Sequence, residues 1–165
     1  MATEVRPTRI DLSEEAREAC IDALNHSLAN TLYAVLASKY AHWNVKGTGF
    51  FPAHKLFDQV YEFYADAADK IGERITALGG TAEGRLSDVA ATSTIEYTVG
   101  ANANVKDHMK EMANMLGQVG NDYRQGIEIV RVKDVNDQTT QDLFIELCRE
   151  GDKLLYFLEA DLRTE

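Results

Sequence analysis

Apolar residues recur at alternating three- and four-residue steps through four long stretches of the chain, the spacing of an amphipathic helix with one buried stripe. The first stripe is Ile21, Leu24, Leu28, Leu32 and Val35, behind cap oxygens on Asp11 and Ser13 and the acidic pair Glu14 and Glu15. Acidic side chains suit the positive end of a helix dipole, so a helix is predicted over about 13–41. Phe57, Val60, Tyr64, Ile71, Ile75 and Leu78 form the second stripe. Pro52 suits a first turn and Gly79-Gly80 a stop, which places this helix at about 52–78. Val105, Met109, Met112, Leu116, Val119, Tyr123, Ile127 and Val130 form the third, with Asn102 or Asn104 as cap. It spans about 102–130. Phe144, Leu147, Leu154, Leu158 and Leu162 form the fourth, behind Asp134 and Asp137, over about 137–163.

Four long helices that can each bury only one stripe call for a four-helix bundle. Residues 79–101 are too many for a tight turn and suit a crossover that lets the second and third helices run the same way, with a short helix near 84–92 inside it. Such a crossover marks ferritin-like bundles, so the expected fold class is all-α and ferritin-like. The 165 residues, 45% hydrophobic, hold only two prolines, Pro7 and Pro52, and no linker or repeat. A single domain over 1–165 is expected, with 1–12 as a short tail. No apolar run approaches the roughly 18 residues of a membrane span, and the N-terminus lacks the pattern of a secretory signal, which points to a soluble, cytoplasmic protein. Cys20 and Cys148 stand alone in helical stripes and read as reduced core residues.

Charge narrows the partners. With 27 acidic and 17 basic residues the formal net charge is -10, which repels phosphate backbones and favours cations. Candidate cation ligands lie on the second helix, where His54 and Asp58 are one turn apart and Asp69 and Glu73 are one turn apart. Counted from His54 at about 100° per residue, these four fall between about 0° and 100°, and the apolar stripe falls between about 240° and 300°. The ligands therefore face away from their own core. Carboxylates on such a face are often only solvated, but their placement along the axis adds information.

His54 and Glu73 are about 28 Å apart on one helix, far beyond a shared metal sphere, so one chain cannot close the site. Two antiparallel copies can. The point midway between His54 and Glu73 is also midway between Asp58 and Asp69, so one twofold register brings both pairs together and builds two identical half-and-half sites. In that register Glu62 faces the partner's Ala65, and Gly72 on the same face allows close approach. His42, at the end of the first helix beside Trp43, can add a second imidazole.

The segment AHWNVKGTGFFPAHKLFDQVYEFYADAADKIGERITALGG, residues 41–80, resembles the ferroxidase segment of the Dps mini-ferritins. The motif is H-W-N, a histidine twelve residues after the first, an aspartate four further on, then D-x-x-x-E-R and L-G-G; the helix plan of the remaining chain is similar as well. The resemblance implies a hollow homododecamer of tetrahedral symmetry, with ferroxidase centres at twofold interfaces and an iron mineral inside. It implies that His42, His54 and Asp58 come from one subunit and Asp69 and Glu73 from its twofold mate, around one or two iron ions.

Imidazole and carboxylate ligands suit Fe²⁺, and a further carboxylate oxygen stabilises Fe³⁺. By the resemblance, hydrogen peroxide is the expected oxidant, with dioxygen the other candidate, and the outcome is protection against oxidative damage. Trp43 reads either as a quencher of stray oxidising equivalents or as an interface anchor. The intrachain E-x-x-H pattern of larger ferritins is absent, since no histidine follows a glutamate by three.

Asp134, Asp137, Asp142 and Glu146 are candidates to line an iron-admitting threefold pore, although Asp137 can equally be a plain helix cap. The tail balances Arg6 and Arg9 against Glu4 and Asp11, so DNA binding is expected to be weak or absent. Two other readings remain, a DNA-compacting cage without ferroxidase activity and a zinc or manganese buffer, with zinc also a competitor for the iron site. His26 and His108 match no expected ligand and read as structural or solvated.

Overall fold

The computed structural model describes residues 5–100 and 102–163; of the predicted tail, residues 1–4 lie outside the described part. Five helices follow in order: α1 Glu14–Asn44, α2 Phe50–Ala77, α3 Leu86–Thr92, α4 Val105–Val130 and α5 Gln138–Leu162. Ser13 caps α1 by accepting from the Ala16 N–H. Asn104, not Asn102, caps α4, accepting from the Asp107 N–H while the Asp107 side chain accepts from Asn104. α2 begins two residues before Pro52, behind Gly49 in the left-handed region, so the proline sits in the first turn, where a missing N–H breaks no intrahelical bond.

The fold is the expected all-α bundle with a short extra helix in the crossover. Its directions follow from the contacts. Phe57 near the start of α2 packs by His108 near the start of α4, so these two helices run the same way. α1 lies antiparallel to α4, with Tyr40 beside His108 at one end and Thr31 bonded to Tyr123 at 2.7 Å further along. α5 runs antiparallel to α2 and α4, joined by Lys70 to Glu146, Arg74 to Asp137 and Arg124 to Asp152.

The core is built on the α2 stripe, where Phe57, Val60, Tyr64, Ile71, Ile75 and Leu78 are all essentially inaccessible. α1 keeps Ile21, Leu24 and Leu28 of its predicted stripe in the core and departs from it further on. Leu32 and Val35 are only half-buried, and there the helix packs along Thr31, Ala34, Ser38 and Ala41, with Ser27 buried before them. Small and hydroxyl side chains let neighbouring helices come close, and Thr31 and Ser38 satisfy their hydroxyls by donating to carbonyls one turn back. Cys20 and Cys148 are free and buried.

The crossover is held to α1 by polar side chains. Asn25 accepts from the Glu83 N–H, Asn30 from the Thr94 N–H and the Ser93 hydroxyl, and Tyr33 from the Tyr97 N–H. The turn after α2 is a glycine-dependent knot. Gly79 has φ +93°, and the Gly80 N–H reaches the Ile75 carbonyl at 2.9 Å, closing the helix end as a Schellman turn. Arg6 of the tail bonds the carbonyls of Gly79 and Gly80, while Arg17 bonds those of Arg6 and Leu78.

Candidate metal centre

α1 ends and α2 begins around a five-residue turn, 45–49, which sets His42 and His54 side by side. Their rings stack at 3.6 Å between centroids with planes 22° apart. Each Nδ1 lies at hydrogen-bond distance from the other residue's backbone oxygen, 2.9 Å for His42 and 2.8 Å for His54. A carbonyl oxygen can only accept, so both Nδ1 atoms carry the hydrogen. In the neutral rings the lone pair then sits on Nε2, the arrangement a metal-ligating histidine needs. Phe50 packs against the open side of His54 at 5.0 Å.

Asp58 completes this half of the site, its Oδ1 lying 3.8 Å from His42 Nδ1. Lys39 holds the same oxygen at 2.5 Å and also sits 4.1 Å over the Tyr61 ring. The hydrogen bond from Lys39 is the main reason the Asp58 carboxyl stays below its ordinary pKa, although partial burial opposes it. A cation binding Asp58 must compete with this ammonium group. Sequence reasoning missed Lys39; its place one turn before His42 on α1 is the signal that could have found it.

Asp69 and Glu73 lie on the same outward face of α2, in its second half, where they are exposed. They border a groove of about 470 Å³ between α1, α2 and the start of the crossover, floored by Leu28, Leu32, Ala65, Ala68 and Gly72. Among the described residues no three His, Cys, Asp or Glu side chains of one chain are grouped so as to hold a metal ion. Trp43, beside the histidine pair, is 72% exposed.

The acidic stretch at α5 divides. Asp137 is only 4% exposed, caps α5 through the Thr139 N–H, and is bonded by Thr140 and by Arg74 at 2.7 Å. Its carboxylate is occupied inside the fold as the cap of α5, one of the two roles the sequence allows it. Asp134 and Asp142 are exposed, and Glu146 is half-buried in an ion pair with Lys70. His108 is fully buried with its Nδ1 2.8 Å from the Tyr97 hydroxyl, and His26 lies 3.2 Å from Asp122. Both are engaged within the bundle.

The ferritin family, described as a ferritin-like domain, matches residues 21–164. The DNA protection during starvation protein of Agrobacterium fabrum is 35% identical over 158 residues, covering 96% of each chain. This chain belongs to the Dps family. DpsA14 from Streptomyces coelicolor superposes with a TM-score of 0.91 at 27% identity, over 99% of this chain and 96% of that one. The Dps of Microbacterium arborescens in its high iron form is 32% identical with a TM-score of 0.83, over 91% and 96% of the two chains. Membership in the Dps family places the chain among ferritin-like proteins of iron storage and DNA protection. Among its described residues no helix is long and apolar enough to cross a membrane.

Proposed function

We propose that two copies of this Dps chain pair about a twofold axis through the middle of α2, bind ferrous iron between them and oxidise it. Assembled as a dodecamer, they store the ferric product as a mineral inside the cage. One observation carries the reading: the two halves of a ligand set stand at opposite ends of the outward face of α2, the first of them joined by His42 from the end of α1. His42, His54 and Asp58 are drawn together at the start, and Asp69 and Glu73 border an open groove near the end. The donor set fits iron, since imidazole and carboxylate both suit Fe²⁺ and the carboxylates favour the harder Fe³⁺.

Iron is the substrate. Two ferrous ions each give one electron to hydrogen peroxide, which takes up two protons and leaves as two waters, so no hydroxyl radical is released. With dioxygen the same ligands act and only the electron acceptor differs. His42 and His54 hold their Nε2 atoms ready because their Nδ1 hydrogens are committed to the backbone. Asp134, Asp142 and Glu146 are proposed to draw iron toward a pore; Asp137 is left out because its carboxylate is already bonded. The buried free thiols of Cys20 and Cys148 fit a reducing compartment, and the cytoplasm is the proposed one. A net charge of -10 leaves little drive for DNA, and Arg6 is spent on the carbonyls after α2. A gel shift that withstands competitor at moderate salt would overturn that last point.

Subunit mixing tests the shared centre. Asp58→Asn and Glu73→Gln chains, each inactive alone in stopped-flow iron oxidation, are unfolded, mixed and refolded together. Random pairing makes half the dimers mixed, each with one intact site, so about a quarter of the wild-type rate returns. No recovery on mixing, or a strictly monomeric wild type that oxidises iron fully, would refute the reading.

A further inference from the structure

Resting on that twofold pairing, we infer that Phe51 of each copy seats in the groove between α1 and α2 of the other, walling the carboxylate half of the shared site from water. Phe51 is the second residue of α2 and is 65% exposed. Counted around the helix from His54 it stands at about 60°, the direction of Asp69 and opposite the core stripe. A large aromatic therefore projects from the middle of the ligand face, in contrast to Phe50, which turns back against His54.

The register fixes what it meets. The midpoint shared by the two ligand pairs places the partner's Thr76 directly opposite Phe51. Thr76 lines the 470 Å³ groove together with Leu28, Leu32, Gly72 and Ala82. On the α2 side the groove is lined by the small residues Ala65, Ala68 and Gly72, with the apolar Leu28 and Leu32 of α1 facing them. A Cβ added at Gly72 would meet only the Ala82 side chain, at an ordinary contact distance of 3.8 Å.

Charge agrees with the fit. Lys55 is one turn from Phe51 and leans toward its ring, Nζ to centroid 5.8 Å. In the same register Lys55 falls opposite the partner's Gly72, between the partner's Asp69 and the partner's Glu73. A basic group thus approaches an acidic pair as the ring enters the groove, an ammonium that iron must displace there as it must displace Lys39 at Asp58, and symmetry repeats the contact at the other end of the interface. With water displaced beside them, the two carboxylates act in a lower dielectric and hold a cation more firmly. Phe51 is in this sense a positioning residue that touches no metal.

A double-mutant cycle on the full chain tests the pairing. Phe51→Lys, Thr76→Glu and the double variant are compared with wild type by sedimentation velocity over a dilution series, with circular dichroism to check helicity. Phe51 is exposed in the single chain, so Phe51→Ala keeps wild-type helicity while dimer formation weakens at least tenfold and ferrous-iron affinity falls with it. Phe51→Lys weakens association further, and adding Thr76→Glu restores it at least tenfold. If Phe51→Ala leaves association and iron affinity unchanged, or the cycle is additive, the docking is overturned while the shared centre stands. If the wild type itself stays monomeric through the series, the shared centre falls first and the docking with it.

Discussion

Asp137→Asn separates a structural carboxylate from an iron-conducting one. In the native chain Asp137 bonds Arg74 and Thr140 through one oxygen and the Thr139 N–H through the other. An amide keeps the shape but has one acceptor oxygen, so either the cap or the contact to Arg74 must face an NH₂ group. Arg74 is 15% exposed and loses its only carboxylate among the ion pairs of the described residues. Breaking a buried pair by removing one partner costs about 3–5 kcal/mol, and because Arg74 keeps some contact with water the lower end, about 3 kcal/mol, is expected. For a chain of this size that lowers Tm by roughly 6–12 °C. The assay is thermal and denaturant unfolding at fixed protein concentration, beside Asp134→Asn, whose exposed carboxylate should change stability by no more than about 0.5 kcal/mol. The pH dependence carries a sign. Burial alone would raise the Asp137 pKa, but the bonds from Thr140 and Arg74 and the Arg74 charge hold it below the ordinary value. Its contribution is therefore complete above the unfolded carboxyl's pKa, about 3.9, and is lost as pH falls through the lower folded value. An Asp137→Asn chain as stable as wild type, with slowed iron uptake, would refute this reasoning and return the residue to the pore.

Gly79→Ala should destabilise by about 2 kcal/mol or more, since a left-handed φ is strained for an L residue. Its Cβ would also stand 2.3 Å from the Arg6 carbonyl oxygen. Gly117→Ala, inside α4 with nothing within 4 Å of the new Cβ, should shift the unfolding midpoint the other way by about 0.5–1 kcal/mol. Lys39→Met removes the ammonium that competes for Asp58. Ferrous-iron affinity near neutral pH should rise about two- to fivefold, as expected for a half-exposed ion pair. Unchanged or weaker iron binding by Lys39→Met would count against that assignment.

The α2 stripe and the outward ligand face were legible in sequence because both follow from helical periodicity alone. The packing of α1 was not: hydropathy marks Leu32 and Val35 for the interior, yet Thr31 and Ser38 are buried, their hydroxyls bonded locally. Nor could spacing show which histidine nitrogen faces outward, since this depends on two backbone carbonyls brought together by the 45–49 turn.

The sequence by itself determined the all-α bundle, the long crossover and the family, because helix period, cap chemistry and motif spacing are local properties of the chain. Only the tertiary structure decided that Asp137 is a buried cap, that Lys39 guards Asp58, and that Asp69 and Glu73 border an open groove. Those outcomes depend on which side chains from distant segments arrive at the same place, and periodicity carries no information about that.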